Sequence, residues 1–312
     1  MPESLLSSIH PQMDELIALR FAARGLTLAP KRPASATTAG IYRSRFRGRG
    51  VDYIESRSYQ AGDDIRNMDW RVTARTGKAH TKVFQEERER PVIVLLDCGA
   101  SMFFGTQQVL KSIQAARLAA CIGWAAVHHG DRIGAFAYSK DMHQEMRPIG
   151  GRRGALRMVR HLQDWLAPPN TADALSMHSI EASSEALAQA LKRLRHVARP
   201  GSLVVMISDF YHLNTDTKRH LSLLRNHNDI VACQIYDPIE KMPPPPGAYP
   251  ISNGQQRGVL NTKGQSAQTH YVEKMQAHFE QTKQVTRQLG IPLEQAATND
   301  SPLSVIQRLF RT

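Results

Sequence analysis

From residue 91 onward the chain alternates between two hydrophobic patterns. Val92, Ile93, Val94, Leu95 and Leu96 form an unbroken apolar run that ends at Asp97. Leu203, Val204, Val205, Met206 and Ile207 repeat it and end at Ser208 and Asp209. A further core strand is predicted over 229–236. Such runs suit strands buried on both faces, as in a parallel sheet covered by helices. Between them, apolar residues fall at helical spacing. Val109, Ile113, Ala116, Ala120 and Trp124 predict a long helix over 107–129, whose many alanines allow close packing on a sheet. Leu187, Leu191 and Leu194 predict another over 181–198, with further helices over 154–166, 213–226 and 266–289. Residues 132–138 read as a strand with an extended partner at 142–148, and 291–297 as an edge strand before a short helix near Pro302. Strands alternating with helices predict a doubly wound, mostly parallel α/β sheet.

The first 90 residues follow neither pattern. Met13, Leu16, Ile17, Leu19 and Phe21 predict an N-terminal helix over 1–30, with a plausible stop near Gly25 and a Pro/Ala/Ser/Thr linker to about residue 40 after it. Residues 41–90 crowd both signs of charge around Tyr53, Tyr59 and Trp70. Asp69, Trp70, Arg71, Ala74 and Arg75 have helical spacing, and 82–86 reads as extended. Arg–carboxylate pairs can hold such a segment together without a large apolar core. It is thus either a scaffold laced by ion pairs or a docking surface. The expected organisation is 1–40 as helix and linker, 41–90 as a charged β-rich extension, and 91–312 as the main α/β domain. Pro243–Lys263 is read as an excursion containing a hairpin around Asn253 and Gly254.

Composition narrows the classes. With 312 residues, 41% hydrophobic and 22% charged, the chain can bury a full core. No apolar stretch approaches the roughly 20 residues that span a bilayer, and residues 1–8 lack a leader pattern, so a cytoplasmic location is expected. Cys98, Cys121 and Cys233 are few and far apart, which argues against a disulfide framework or a zinc site. The formal charge of +12 includes Arg43, Arg45, Arg47 and Arg49, and a second group of Arg152, Arg153, Arg157 and Arg160. Such charge invites anionic partners. No helix-turn-helix, zinc finger or ribonucleoprotein motif accompanies it, so nucleic acid is the alternative rather than the expected partner.

Candidate chemistry gathers at the strand ends. If the strands ending at Asp97 and Asp209 are neighbours, both carboxylates face one crevice at the carboxyl edge, where open α/β sheets place ligands. With the Ser101 hydroxyl they form a hard oxygen set suited to Mg2+ or Mn2+. The local alternative for Asp97 is a helix cap. A haloacid-dehalogenase-like phosphatase with Asp97 as nucleophile is a second alternative. Such sites need a further carboxylate two residues on, and Gly99 stands there. Cys98 as nucleophile would need a base, for which His128, His129 and His212 are the candidates. There is no GxxxxGK[ST] loop for a nucleotide.

Asp97 and Ser101, followed later by Asp209, resemble the metal-ion-dependent adhesion site of the von Willebrand factor A family. Gly99 replaces the first serine of that motif, and Ser183, Ser184 and Glu185 stand where its threonine loop is expected. The block before it sharpens the resemblance. Gly48, Gly50 and Asp52, then Arg57, Tyr59, Gly62, Asp63, Asp64 and Arg66, then Asp69, Trp70, Thr73, Ala74 and Arg75, then Lys82, Val83, Phe84, Glu86, Glu87 and Arg88, resemble the DUF58 family over roughly residues 40–240. That resemblance implies a Rossmann-like, degenerate von Willebrand A-like domain. It also implies a MoxR-type AAA+ ATPase and other von Willebrand A proteins as partners, with peripheral contact to membrane complexes. It implies a non-enzymatic adaptor in protein assembly or maturation, binding its partner through the strand-end crevice, the charged 48–88 segment or both. Arg57, Tyr59, Asp63, Asp64, Arg66, Asp69, Trp70 and Arg75 are then the candidate partner-binding residues, and Asp97, Ser101 and Asp209 the candidate metal ligands. Met102, Phe103 and Phe104 either pack in the core under the first helix, the favoured reading, or form a rim that binds a partner without metal.

Overall fold

The structure is a computed structural model that describes residues 10–29, 52–85, 89–140, 142–167, 180–211, 213–252 and 257–310. The expectations for 1–9, the 30–40 linker, Arg43–Arg49, Glu86–Arg88, His212 and the turn at Asn253–Gly254 lie outside the described residues, as do the side chains of Ser183 and Ser184. The chain divides into two compact units, one of residues 1–34 with 90–312 and one of residues 35–89.

The larger unit begins with α1 (Met13–Ala22), shorter than the sequence suggests. Leu16, Ala23, Leu26 and Leu28 join the main core, whereas Phe21, expected on the apolar face, is 61% exposed.

The smaller unit pairs β1 (Asp52–Ser58) with β2 (His80–Gln85) in an antiparallel ribbon, with a bulge between Tyr53 and Glu55. A 3-10 turn (Ile65–Asn67) and the short helix α2 (Trp70–Thr76) bridge the two strands. Asp69 caps α2 by accepting from the Val72 N–H at 3.1 Å. The helix ends where Gly77 takes a left-handed conformation, φ 70°, which a side chain would resist. Among the residues of this unit whose side chains are described, only Asp69 and Thr81 are buried, and polar bonds and backbone pairing tie its elements together.

The rest of the larger unit is the alternating layer structure. It runs β3 (Pro91–Asp97), α3 (Lys111–His128), β4 (Arg132–Tyr138), β5 (His143–Gly150), α4 (Gly151–Trp165), α5 (Ile180–Val197), β6 (Leu203–Ser208), α6 (Thr215–Arg225) and β7 (Asp229–Tyr236). It continues with α7 (Pro238–Lys241), a hairpin of β8 (Ala248–Ser252) and β9 (Arg257–Asn261), α8 (Gln265–Gln288), β10 (Leu293–Ala297) and α9 (Pro302–Phe310). Six strands form one sheet in the order β10-β7-β6-β3-β4-β5, all parallel except the antiparallel edge strand β5. This is the doubly wound α/β architecture.

The period-two split explains the unbroken apolar runs. Val92, Val94 and Leu96 enter one core beside α1, α3, α4 and α9, while Ile93 and Leu95 enter the other beside α5 and α6. Leu203, Val205 and Ile207 divide from Val204 and Met206 in the same way. A strand buried on both faces has no place for a polar alternate. On α3 the alanines at 115, 116, 119, 120, 125 and 126 are all buried, which lets the helix lie close to the sheet. After β3 the chain moves outward to β4 and then crosses to β6 on the other side, so the topological switch point lies between β3 and β6. That is where Asp97 and Asp209 emerge.

Candidate functional site

At the carboxyl edge of β3 and β6 the two aspartates are brought together as the apolar runs suggest, but they are buried, at 3% and 1% exposure. Both Asp97 oxygens are engaged. Oδ1 accepts from the Gly99 N–H at 2.8 Å, and Oδ2 accepts from the Ser208 hydroxyl at 2.6 Å. The Ser208 oxygen in turn accepts from the Phe210 N–H at 2.9 Å. Phe210 is the one non-glycine residue with a left-handed backbone among those described, φ 58°, and it is buried. Such a conformation persists only where its surroundings hold it. Here the Ser208 bridge and the packed ring do so. Burial, then repulsion from Asp209, push the Asp97 carboxyl up to about 6, against the hydrogen bonds from Ser208 and Gly99.

Asp209 meets a group that the sequence reading did not single out. The Lys111 ammonium, 1% exposed, lies 3.0 Å from Asp209 Oδ2 and 3.1 Å from Glu240 Oε1. Burial opposes its charge, but the Asp209 and Glu240 carboxylates outweigh burial and hold the ammonium above its ordinary pKa. Glu240 also accepts from the Tyr211 hydroxyl at 3.0 Å, and its second oxygen accepts from the Asp237 N–H at 2.7 Å. Tyr211 stacks on His278 with ring centroids 3.9 Å apart, and a His278 ring nitrogen lies 2.9 Å from the Asp209 carbonyl oxygen. Asp237 caps α7 and holds the loop leading to α3. It accepts from the Thr106 N–H at 2.8 Å, from the Thr106 hydroxyl and from the Thr298 hydroxyl at 3.2 Å.

One pattern in the sequence points to this network. Asp237-Pro238-Ile239-Glu240 is a capping-box pattern, with proline at the first helical position, and it forms as such. Lys111 stands at the N-terminus of α3, where the helix dipole disfavours a cation. A lysine there needs carboxylates from elsewhere in the fold, and no local spacing says which.

The donor set does not fit a divalent ion. Asp97 spends both oxygens on internal donors, and Asp209 Oδ2 faces an ammonium. Ser101 lies half-buried in a 3-10 turn (Ala100–Phe103). A side chain at position 99 would place its Cβ 3.0 Å from Asp97 Oδ1, so the hydroxyl missing there could not be restored without a shift. Among the described residues no three His, Cys, Asp or Glu side chains converge to hold a metal. A nucleophilic role fits no better. Burial, then the Asp97 charge, push the Cys98 thiol well above its ordinary pKa, and only a thiolate is reactive. His128 and His129 lie by the N-terminal segment instead, near the carbonyls of Arg20 and Leu26. Of the three residues expected in the core, Met102 is buried, Phe103 is half-buried and Phe104 is 42% exposed.

In the smaller unit the candidate partner-binding residues separate into two groups. Arg57 pairs with Asp63 at 2.6 Å, and Asp63 also accepts from the Gln60 N–H at 2.9 Å. Asp64 accepts from the Arg66 N–H at 3.0 Å, capping the 3-10 turn. Asp69 accepts from the Ser56 hydroxyl at 2.5 Å as well as from Val72, and these two bonds hold its pKa below the ordinary value. The Tyr59 N–H donates to the Ala79 carbonyl at 2.8 Å. These residues build the unit. Arg66, Trp70 and Arg75 face outward, and so does Ile65, which the sequence reading passed over. Trp70 is 67% exposed and Ile65 63%.

Uncharacterized proteins of Mycobacterium bovis and Mycobacterium tuberculosis are each 27% identical to this chain over 291 residues, covering 93% of it and 88% of their own length. Among solved structures it is similar to the conserved hypothetical protein BatB from Bacteroides thetaiotaomicron. That match has 14% identity and a TM-score of 0.43, covering 70% of this chain and 96% of that one. It is also similar to the pilus adhesin SpaC from Lactobacillus rhamnosus GG, with 12% identity and a TM-score of 0.40, covering 72% of this chain and 30% of the adhesin. Likenesses at that level do not bear on function. The family described as "Protein of unknown function DUF58" matches residues 55–281, well over half of the chain and spanning both the charged ribbon and the strand-end crevice, and the chain belongs to it.

Proposed function

We propose that this chain is a non-enzymatic interaction adaptor that works in the cytoplasm with a MoxR-type AAA+ ATPase in the assembly or maturation of other proteins. In this reading the larger unit is a degenerate von Willebrand A-like domain and the smaller unit carries the dock. The observation that carries it is Trp70, two-thirds exposed, in a segment where Ile65, Arg66 and Arg75 are exposed as well. Tryptophan and arginine are the residues that most often anchor protein interfaces, and a solvated tryptophan has little structural reason to stay. The crevice supports the non-enzymatic part, because its carboxylates are buried and spent on internal donors rather than turned to a substrate.

The test is a pull-down on the immobilised ATPase. Native protein and an Asp97→Ala/Asp209→Ala variant that remains folded are expected to bind, whereas Trp70→Ala with Ile65→Ala is expected to lose most of the retained protein. Equal retention of the Trp70/Ile65 variant and the native chain would remove the dock from the smaller unit. Phosphatase turnover that Asp97→Asn abolishes would replace the adaptor with the hydrolase reading.

One observation favours a second reading. Arg152, Arg153, Arg157 and Arg160 are all exposed on α4, whose apolar side (Ala155, Met158, Val159 and Leu162) is spent in the core. A basic helix face can bind nucleic acid without sequence preference. That reading requires affinity that falls steeply as salt rises.

A further inference from the structure

The sequence leads one to expect a metal between Asp97, Ser101 and Asp209, and the structure puts the Lys111 ammonium against Asp209 and Glu240. We propose that this ammonium is the resident cation of the crevice, doing for Asp209 what a divalent ion would do while Ser208 and Gly99 hold Asp97, so that the carboxyl edge keeps its shape without metal.

Three observations carry this. The first is position. Asp209 is the late strand-end aspartate that a metal would use, and the ammonium is 3.0 Å from its Oδ2. Mg2+ would have to sit about 2.0–2.1 Å from that same oxygen, inside the space the ammonium holds and against a like charge in a water-poor interior. The second is bridging. A metal ties loops from several strands to one point, and Lys111 does the same. It starts α3 after β3, pairs with Asp209 after β6, and pairs with Glu240 in α7 after β7. Glu240 extends the tie to Tyr211 and, through its second oxygen, to Asp237. The third is enclosure. The ammonium is 1% exposed, 5.5 Å from the Tyr211 ring centroid and 6.0 Å from that of Phe104. A lysine kept only for solubility would extend its long stem to water. Gly99 completes the picture, because its N–H supplies Asp97 Oδ1 with a donor and its missing side chain leaves that oxygen room.

The inference concerns stability and ion binding alone, so its outcome is separate from whether the chain docks on an ATPase. The decisive experiment is Mn2+ binding to the full chain by electron paramagnetic resonance, paired with thermal unfolding in a chelator and in millimolar Mg2+. The native chain is expected to show no Mn2+ site that depends on Asp97 or Asp209. Its midpoint should move by less than about 1 °C between chelator and Mg2+, whereas an ion bound well above its Kd would raise it by several degrees. A stoichiometric Mn2+ signal in the native chain that disappears in Asp97→Asn or Asp209→Asn would overturn the proposal. Mn2+ that persists in both variants lies elsewhere and leaves the crevice metal-free.

Lys111→Met removes the charge and keeps most of the volume. Its midpoint is expected to fall by on the order of 10 °C and to recover in part with Mn2+, the ion now entering the vacated place. A Lys111→Met protein as stable as the native chain would also overturn the proposal. If this variant does not fold, Lys111→Met with Glu240→Gln lowers the unpaired charge and permits the same reading.

Discussion

The strand-end crevice and the 52–85 ribbon are both rich in charge and treat it in opposite ways. In the crevice Asp97, Asp209 and Lys111 are each less than 4% exposed, and their partners come from four places far apart in the chain. In the ribbon Arg57, Asp63, Asp64 and Arg66 find partners within six residues, and most of the segment is open to water. Buried charges are valuable only as a complete set, because removing one leaves another stranded. Exposed charges can be lost singly at small cost. The crevice is therefore a place where the fold is fixed, and the ribbon is a place where side chains are available to something else.

The largest expected effect follows from the stranded-charge argument. Lys111→Met leaves Asp209 and Glu240 without their common cation and should cost about 3–5 kcal/mol, read as a lower urea midpoint with an unchanged slope. Arg57→Ala removes an ion-pair partner too, but the guanidinium is itself partly exposed and Asp63 keeps the Gln60 N–H, so the cost should be well below that of Lys111→Met. Equal costs for the two would break the comparison.

Next comes pH, where two carboxylates should respond with opposite sign. Asp97 has a folded pKa of about 6, above its ordinary 3.8. The folded state thus binds that proton more tightly than the unfolded chain does. Its contribution favours folding at low pH and is lost as pH rises from about 4 to about 6, by on the order of 3 kcal/mol, and stays constant above that. The groups facing it are Asp209, Ser208 and Tyr138, with Lys111 close beyond Asp209. Asp69 is the reverse case. Its pKa is lowered, so its contribution is present above 3.8 and fades as pH falls through the lower folded value. Urea midpoints measured across this range for native, Asp97→Asn and Asp69→Asn proteins read both signs. The native-minus-variant difference should fall with rising pH for Asp97 and increase for Asp69.

How much of this was legible depends on the range over which each residue acts. The six-stranded sheet follows from apolar runs and helical stripes, because burial on both faces leaves a local imprint on 92–96 and 203–207. The meeting of Asp97 and Asp209 follows once those two strands are neighbours. Asp69 as a cap was open to view in the same local way, although it reads equally well as a binding residue until its bonds to Val72 and Ser56 are seen. Lys111 was not legible as part of the site. Its partners lie 98 and 129 residues further along, and a lysine at the start of a helix looks like any solvated charge until its burial is known. The same blindness made the donor set look open, since sequence displays the oxygens of Asp97 and Asp209 but not the N–H, hydroxyl and ammonium groups already using them.

Local capping in the ribbon gives a smaller effect. Asp69→Ala removes the cap of α2 and the acceptor of Ser56, and should cost about 1 kcal/mol. Because only Asp69 and Thr81 are buried among the residues of that unit whose side chains are described, the loss should be felt there first. Hydrogen exchange should speed up across 56–81 while β3 and β6 keep their protection, and equal acceleration in β3 would mean the ribbon and the sheet open as one.

The smallest effect on stability is expected at an exposed side chain of the ribbon. Trp70 stands at the first position of α2 with two-thirds of its surface in water, so Trp70→Ala removes little buried area and should change folding stability by no more than about 0.5 kcal/mol. An anchoring tryptophan at an interface, by contrast, costs about 2 kcal/mol or more of binding when truncated, a loss of roughly 30-fold in affinity. Measuring both on the same variant separates the two uses of charge and surface in this molecule. If stability falls and binding holds, Trp70 belongs to the scaffold of the ribbon. If binding falls and stability holds, the ribbon offers a surface that the crevice, with every charge already answered from within, does not.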